Sequence, residues 1–264
     1  PRISFDQEGR CNACQWVEEK KTLDWTSREK VLEKLLKESK SDSGFDCIVP
    51  CSGGKDGSYV SHMLRSKYDI NPLTVTLRPP LESKIGKKNF YNFLKAGFAN
   101  IHITPNAVML QKLNKEGFIH KGFPYYGWLM AIMTAPMRVA ANFGIKLLFY
   151  GEDGEVEYGG STETKDIATY DVSYQKRVYL EGGQDKVFDK IQGDSSELYF
   201  FNFPDDNDLE GMKLTHWSYY ESWDPYRNYL VAKEHCGLEE NLDSNEGTFT
   251  NFAHNDQALS ALHY

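Results

Sequence analysis

The chain has 264 residues, 40% of them hydrophobic, and a formal net charge of −8 from 30 Lys and Arg against 38 Asp and Glu. That composition supports a packed core, and its acidic balance argues against a nucleic-acid partner, since phosphate backbones favour basic faces. No apolar run is long enough to span a membrane and no secretory leader is visible, and five cysteines do not make a disulfide scaffold; a reducing, cytoplasmic home is expected.

Residues 1–25 form a short polar segment that carries Cys11-Asn12-Ala13-Cys14. The C-x-x-C spacing is half of a zinc site, with Cys11 and Cys14 as candidate ligands. Thr26, with Glu29 three residues on, fits a capping box. Val31, Leu32, Leu35 and Leu36 then lie at helical spacing. Residues 41–44 read as a loop.

A regular alternation follows. Residues 45–51 are a short apolar run suited to a buried parallel strand, and 52–57 a glycine-rich turn. Tyr59, Val60, Met63 and Leu64 return to helical spacing. Residues 73–77, 100–104 and 145–150 read as further strands. Helices are expected over 87–96, 107–115 and 128–142, with Gly144 ending the last. Strand and helix alternating in this way predict an α/β fold with a doubly wound parallel sheet and right-handed connections.

The pattern degrades after Gly151. Residues 151–210 are polar and glycine-rich, and part of them reads as a mobile lid; 212–264 are aromatic and read as mostly helical. The expected division is therefore an N-terminal segment (1–25), an ATP-binding domain (26–165), and a lid with a helical substrate-binding region (166–264). The chain starts at Pro1 and stops in what reads as helix interior over 259–264, so it is expected to be a piece of a longer protein.

The strongest signal is Ser52-Gly53-Gly54-Lys55-Asp56-Gly57-Ser58, between an expected strand and an expected helix. Glycines let the backbone turn sharply and approach a ligand. Loop N–H groups and the helix N-terminus together make an anion cradle. The spacing matches neither the Walker loop nor the dinucleotide fingerprint. The alternative is an ordinary glycine-rich turn.

This loop resembles the PP-loop of the ATP pyrophosphatases. The likeness extends to Phe45-Asp46-Cys47-Ile48-Val49-Pro50, to the stretch from Tyr150 to Gly160, to Leu214-Thr215-His216-Trp217-Ser218-Tyr219, to Trp223-Asp224-Pro225-Tyr226-Arg227-Asn228-Tyr229 and to Glu246-Gly247-Thr248-Phe249-Thr250-Asn251-Phe252. In these strings the chain is similar to the N-acetyl sugar amidotransferases of surface-polysaccharide and nonulosonic-acid pathways. One departure stands out: the family usually has Ser after Lys-Asp, where this chain has Gly57 and then Ser58. A phosphate-binding hydroxyl is thus missing or displaced by one position. Restoring serine at 57 would be expected to tighten ATP by about 0.5–1.5 kcal/mol, one net hydrogen bond.

The resemblance implies a PP-loop ATP-binding fold that uses ATP and Mg²⁺, with zinc bound in longer members that carry a second Cys pair. It implies adenylation of an N-acetyl amide oxygen, loss of pyrophosphate, and attack by ammonia to give an acetamidino sugar and AMP. Lys55 and Asp56 are the implied catalytic residues, with Asp56 also on Mg²⁺. Ser52, Gly53, Gly54, Gly57 and Ser58 would complete the nucleotide cradle, with Thr76, Gly151 and Glu152 beside it. Glu155, Glu157, His216, Trp217 and Arg227 are candidates for the sugar, which is expected to be nucleotide-linked. Each has a plainer reading: a strand end for Thr76, a solvated acidic loop for 152–157, core packing for the aromatics.

Cys47 reads as structural, and Cys51 and Cys236 have no evident base beside them. With no recognisable glutaminase nucleophile, the implied partners are a glutaminase and a barrel subunit that deliver ammonia. Two other readings stay open: a tRNA-thiolating PP-loop enzyme, and a catalytically inactive nucleotide-binding module.

Overall fold

A computed structural model describes residues 3–41, 44–194, 196–244 and 249–253. Helix α1 (Asn12–Lys20) and helix α2 (Trp25–Ser39) precede the sheet. The cap of α2 is Asp24 rather than Thr26: the Asp24 carboxylate accepts from Ser27 N–H at 3.0 Å. An aspartate two residues before the expected cap satisfies the orphan donors of the helix start and wins the boundary. Leu32, Leu35 and Leu36 are buried, whereas Val31 is 41% exposed.

The alternation that follows is β1 (Cys47–Pro50), α3 (Lys55–Tyr68), β2 (Pro72–Leu77), α4 (Lys84–Lys95), β3 (Asn100–Ile103), α5 (Ala107–Lys121), α6 (Tyr126–Phe143) and β4 (Leu147–Tyr150). Each element lies within a few residues of its expected place, except that α5 runs six residues past its expected end. Gly144 closes α6 in the left-handed conformation, φ 67°. Short helices α7 (Gly154–Glu157) and α8 (Val172–Tyr174) follow, the latter running into a π turn at Gln175–Tyr179. Then come α9 (Asp185–Phe188), α10 (Asp206–Leu209), β5 (Lys213–His216) and α11 (Pro225–Cys236).

The five strands make one all-parallel sheet in the order β3-β2-β1-β4-β5. Ile48 of β1 registers with Leu73 on one side and Leu148 on the other, and Leu148 with Leu214. Strand β5 corrects the reading of 212–264 as mostly helical. Four residues with Leu214 and Thr215 buried carry too little periodicity to declare a strand. It also carries the sheet beyond residue 165, so the expected 26–165 domain does not contain the whole sheet.

The expected lid is instead core. Val172, Val178, Leu180, Val187, Phe201 and Phe203 are buried in the layer with α5 and α6. Tyr126 OH donates to the carbonyls of Leu180 (2.8 Å) and Gly183 (3.0 Å), and Arg138 donates to those of Asn202 and Phe203. The opposite face of the sheet is covered by α2, α3 and the aromatics Trp217, Tyr220 and Trp223, with α11 laid along α3. Phe252 stacks on Tyr229 at 4.3 Å; residues 246–248 and 259–264 lie outside the described residues. Among the described residues no helix is long and apolar enough to cross a membrane.

Candidate functional site

The strand order reverses between β1 and β4, so the loops leaving these two neighbours depart in opposite directions. That switch point opens a crevice at the carboxyl ends of the strands, where ligands bind in such sheets. Residues 51–54 leave β1 there and Gly151-Glu152-Asp153 leave β4.

The β1 loop is packed from behind. Gly53 has φ +83°, and a Cβ at that position would sit 2.6 Å from the Phe90 backbone of α4. Only glycine fits. Gly53 N–H points to Cys51 Sγ at 3.4 Å. The buried Thr76 hydroxyl donates to the Cys51 carbonyl and accepts from Asn100 Nδ2 at 2.8 Å. Thr76 therefore anchors the start of the loop, and its hydroxyl is engaged there rather than open to an adenosine.

Lys55 and Asp56 open α3 and form an ion pair. Gly151 packs against them: its Cβ would lie 3.1 Å from Asp56 Cβ. Glu152 Oε2 accepts from Tyr158 OH at 2.8 Å and from Trp223 Nε1 at 2.9 Å. Burial, and then the charge of Asp56, push the Glu152 carboxyl above its ordinary range, while Lys55 and the two donors pull the other way. Asn228, fully buried on α11, reaches Asp56 Oδ1 with its Nδ2 at 3.4 Å. Lysine, two carboxylates and an amide thus converge beside the glycine-rich loop.

Position 57 reads differently in three dimensions. A Cβ on Gly57 would meet Cys51 Sγ at 2.8 Å and Cys51 Cα at 2.9 Å. Ser58 does not stand in for the missing hydroxyl, because it is fully buried beside the thiols of Cys51 and Cys236. Burial pushes the Cys51 thiol up to about 12 and that of Cys236 up to about 11, and raises Cys47 as well. None is a ready thiolate.

The acidic run disperses into separate tasks. Glu157 pairs with Lys20 at 2.6 Å and accepts from Trp16 Nε1 at 3.0 Å, with only 6% of its side chain exposed. It ties α7 to α1, which is a correction to its assignment to the sugar. Glu155 accepts from Ser161 N–H at 2.6 Å. His216 and Trp217 are likewise buried rather than open to a sugar, Trp217 at 1% exposure. Glu221 Oε1 accepts from the indole of Trp217, from Tyr59 OH and from Arg227 Nη2 at 3.0 Å. Of the five residues assigned to the sugar, Glu155 and Arg227 stay partly open, the Arg227 guanidinium 4.9 Å from the Tyr59 ring; Tyr226 beside Arg227 is exposed. Asn228, Trp223 and Tyr158 lie in strings that resemble the sugar amidotransferases, but their contacts with Asp56 and Glu152 come from other elements and were not expected.

Cys11 and Cys14 lie together at the start of α1, with Cys14 N–H directed at Cys11 Sγ (3.4 Å). Among the described residues no group of three or more His, Cys, Asp or Glu side chains is placed to hold a metal ion. Two thiols supply half the ligands of a structural zinc.

No protein-family model matches the chain, and no curated protein matches it. Among solved structures it is similar to the U34-tRNA thiolase NcsA from Methanococcus maripaludis with its 4Fe-4S cluster, at 15% identity and a TM-score of 0.39, over 92% of this chain and 72% of that one. Likeness at this level says nothing of shared chemistry.

Proposed function

We propose that the chain is an ATP-dependent amidotransferase of the PP-loop kind, which adenylates the amide oxygen of a sugar N-acetyl group and replaces that oxygen with ammonia. The observation that carries the ATP-binding part is the convergence of Ser52-Gly53-Gly54 with Lys55, Asp56 and Glu152 at the switch point of a parallel sheet. The choice of amide and sugar rests on the sequence strings that resemble the sugar amidotransferases.

An amide oxygen is a poor leaving group. Its attack on the α-phosphorus of ATP expels pyrophosphate and leaves an adenylated imidate. Ammonia then adds at the imidate carbon, AMP departs with the former amide oxygen, and a proton is lost from nitrogen. The loop N–H groups and Lys55 would hold the phosphates and offset charge as pyrophosphate leaves. The site fits Mg²⁺: Asp56 and Glu152 are neighbouring hard oxygen donors, and the Asp56 charge adds to burial in raising the Glu152 carboxyl. When bound, Mg²⁺ would neutralise phosphate charge. Asn228 and Trp223 would orient the two carboxylates. The glutaminase and barrel partners, and zinc at Cys11 and Cys14, belong to the same reading.

A tRNA-thiolating reading needs reactive thiols. Cys47, Cys51 and Cys236 are buried with their thiols raised, whereas Cys11 and Cys14 are accessible and the Cys14 N–H holds the Cys11 thiol below its ordinary range; preference for the amidotransferase rests on the sequence strings. The test is pyrophosphate release by the purified chain with MgATP, ammonium and a panel of nucleotide-linked N-acetyl sugars. Release that requires both sugar and ammonium supports the proposal. Release that depends on tRNA and a sulfur donor transfers it to the thiolase, and ATP binding with no release under either condition makes the chain a nucleotide-binding module.

A further inference from the structure

Asp153 follows Glu152 and is 5% exposed. Its Oδ1 accepts from the N–H groups of Glu155 (3.2 Å) and Val156 (3.3 Å) and from Tyr179 OH at 3.2 Å. Its Oδ2 accepts from the Thr164 hydroxyl and lies 3.5 Å from His216 Nδ1. On the far side of the ring, His216 Nε2 lies 3.0 Å from Tyr170 OH and 3.3 Å from Tyr179 OH. Burial holds the imidazole below its ordinary range and therefore neutral. With Tyr170 donating to Nε2, the ring proton falls on Nδ1, facing the carboxylate.

The same cluster grips the backbone. Asp153 N–H donates to Ser218 Oγ at 2.9 Å, and Ser218 N–H donates to the Gly151 carbonyl at 3.1 Å. The peptides on both sides of Glu152 are thus held by the strand exit that carries His216. The assembly has the form of the outer shells that orient metal ligands: buried groups that touch no ligand and fix the one that does.

We propose that Asp153 and His216 are positioning residues for MgATP, fixing the 151–153 backbone so that the Glu152 carboxylate meets the nucleotide-bound cation beside Asp56. This inference rests on the ATP-binding reading of the site. Its test is a double-mutant cycle on MgATP affinity, measured by calorimetry with Mg²⁺ and ATP alone, for the wild type, Glu152→Gln, His216→Leu and the pair.

Each single variant is expected to weaken MgATP about tenfold, the scale on which second-layer partners of metal ligands act. The pair should be weaker than Glu152→Gln alone by no more than about twofold, because both changes act through one carboxylate. His216→Asn, which keeps an N–H toward Asp153, should recover most of the loss. Additive losses in the pair, or unchanged affinity in His216→Leu, overturn the inference and leave the nucleotide site standing. No MgATP binding by the wild type overturns both. If His216→Leu does not unfold cooperatively, the cycle is run with Tyr179→Phe, which removes a single hydroxyl from Asp153, and the same additivity criterion decides.

Discussion

Gly57 lies directly against Cys51: a side-chain carbon at 57 would come within 2.9 Å of Cys51 Cα and 2.8 Å of its sulfur. The glycine is therefore a packing requirement of the first turn of α3. Gly57→Ser is expected to destabilise the fold by about 1–3 kcal/mol, the usual cost of overpacking, and not to tighten ATP. Adding Cys51→Ala should recover part of that loss, because the sulfur leaves while the backbone contact remains. Denaturant unfolding of the two variants, with ATP titrations alongside, checks both statements; a stable Gly57→Ser that binds ATP more tightly would refute them.

Lys55→Ala and Asp56→Ala are each expected to abolish pyrophosphate release while unfolding remains cooperative, since both side chains are partly exposed at the start of α3 rather than in the hydrophobic core. Asn228→Ala should have a smaller effect, because Asn228 reaches Asp56 only through a long 3.4 Å contact. Near-normal turnover in either of the first two variants would remove the loop from the chemistry.

On the proposed ATP-binding reading, Glu152 links nucleotide binding to pH. Its carboxyl is raised in the folded chain, first by burial and then by Asp56. The folded state thus holds this proton more tightly than the unfolded state, so Glu152's contribution to stability falls as pH rises from the ordinary carboxylate value through its raised one. Glu152→Gln should melt higher than the wild type at neutral pH, with the gap closing in acid, and should bind MgATP more weakly. Equal melting temperatures at neutral pH would show that the donors Tyr158 and Trp223 fully offset the charge.

Lys20→Met removes the cation from a buried pair, leaving Glu157 with the Trp16 indole alone. Breaking such a pair commonly costs about 3–5 kcal/mol; retention of the indole donor places the expectation at the lower end of that range. Thermal unfolding measures it, and a loss below about 1 kcal/mol would mean that water replaces the ammonium.

Nitrogen supply offers a further check. The purified chain should use ammonium salts increasingly well as pH rises, and should not use glutamine. Efficient glutamine-dependent turnover by this chain alone would expose an unrecognised glutaminase site.

Much of the sheet and the glycine-rich turn after β1 was legible because both are local. Cys47-Ile48-Val49 is a short apolar run, Ser52-Gly53-Gly54 a turn that needs glycine, and Gly144 a C-cap; each is decided by neighbours in sequence. What stayed hidden depends on distant segments. Leu214 and Thr215 become a strand because β4 offers them a partner. Glu157 looks like one more surface acid until Lys20 and Trp16 arrive from α1. The expected lid is polar in composition, yet Val187, Phe201 and Phe203 are enough to seal it onto α6 once Arg138 and Thr134 bind its carbonyls. The rings of Trp217, Tyr220 and Trp223 are turned inward, which is the core packing that was the plainer reading of the aromatics.

The central position of β1 has a consequence for how the chain is made. One edge of that strand pairs with β2 soon after both leave the ribosome, but the other waits for β4, which begins at residue 147. At typical synthesis rates of about 5–20 residues per second, the interval is roughly 5–20 seconds. Throughout it the nascent polypeptide carries the bare, apolar edge of Cys47-Ile48-Val49, a template for pairing with other chains. Yield of native protein should therefore depend on chaperone capacity during translation, and slower synthesis between residues 78 and 147 should lower it.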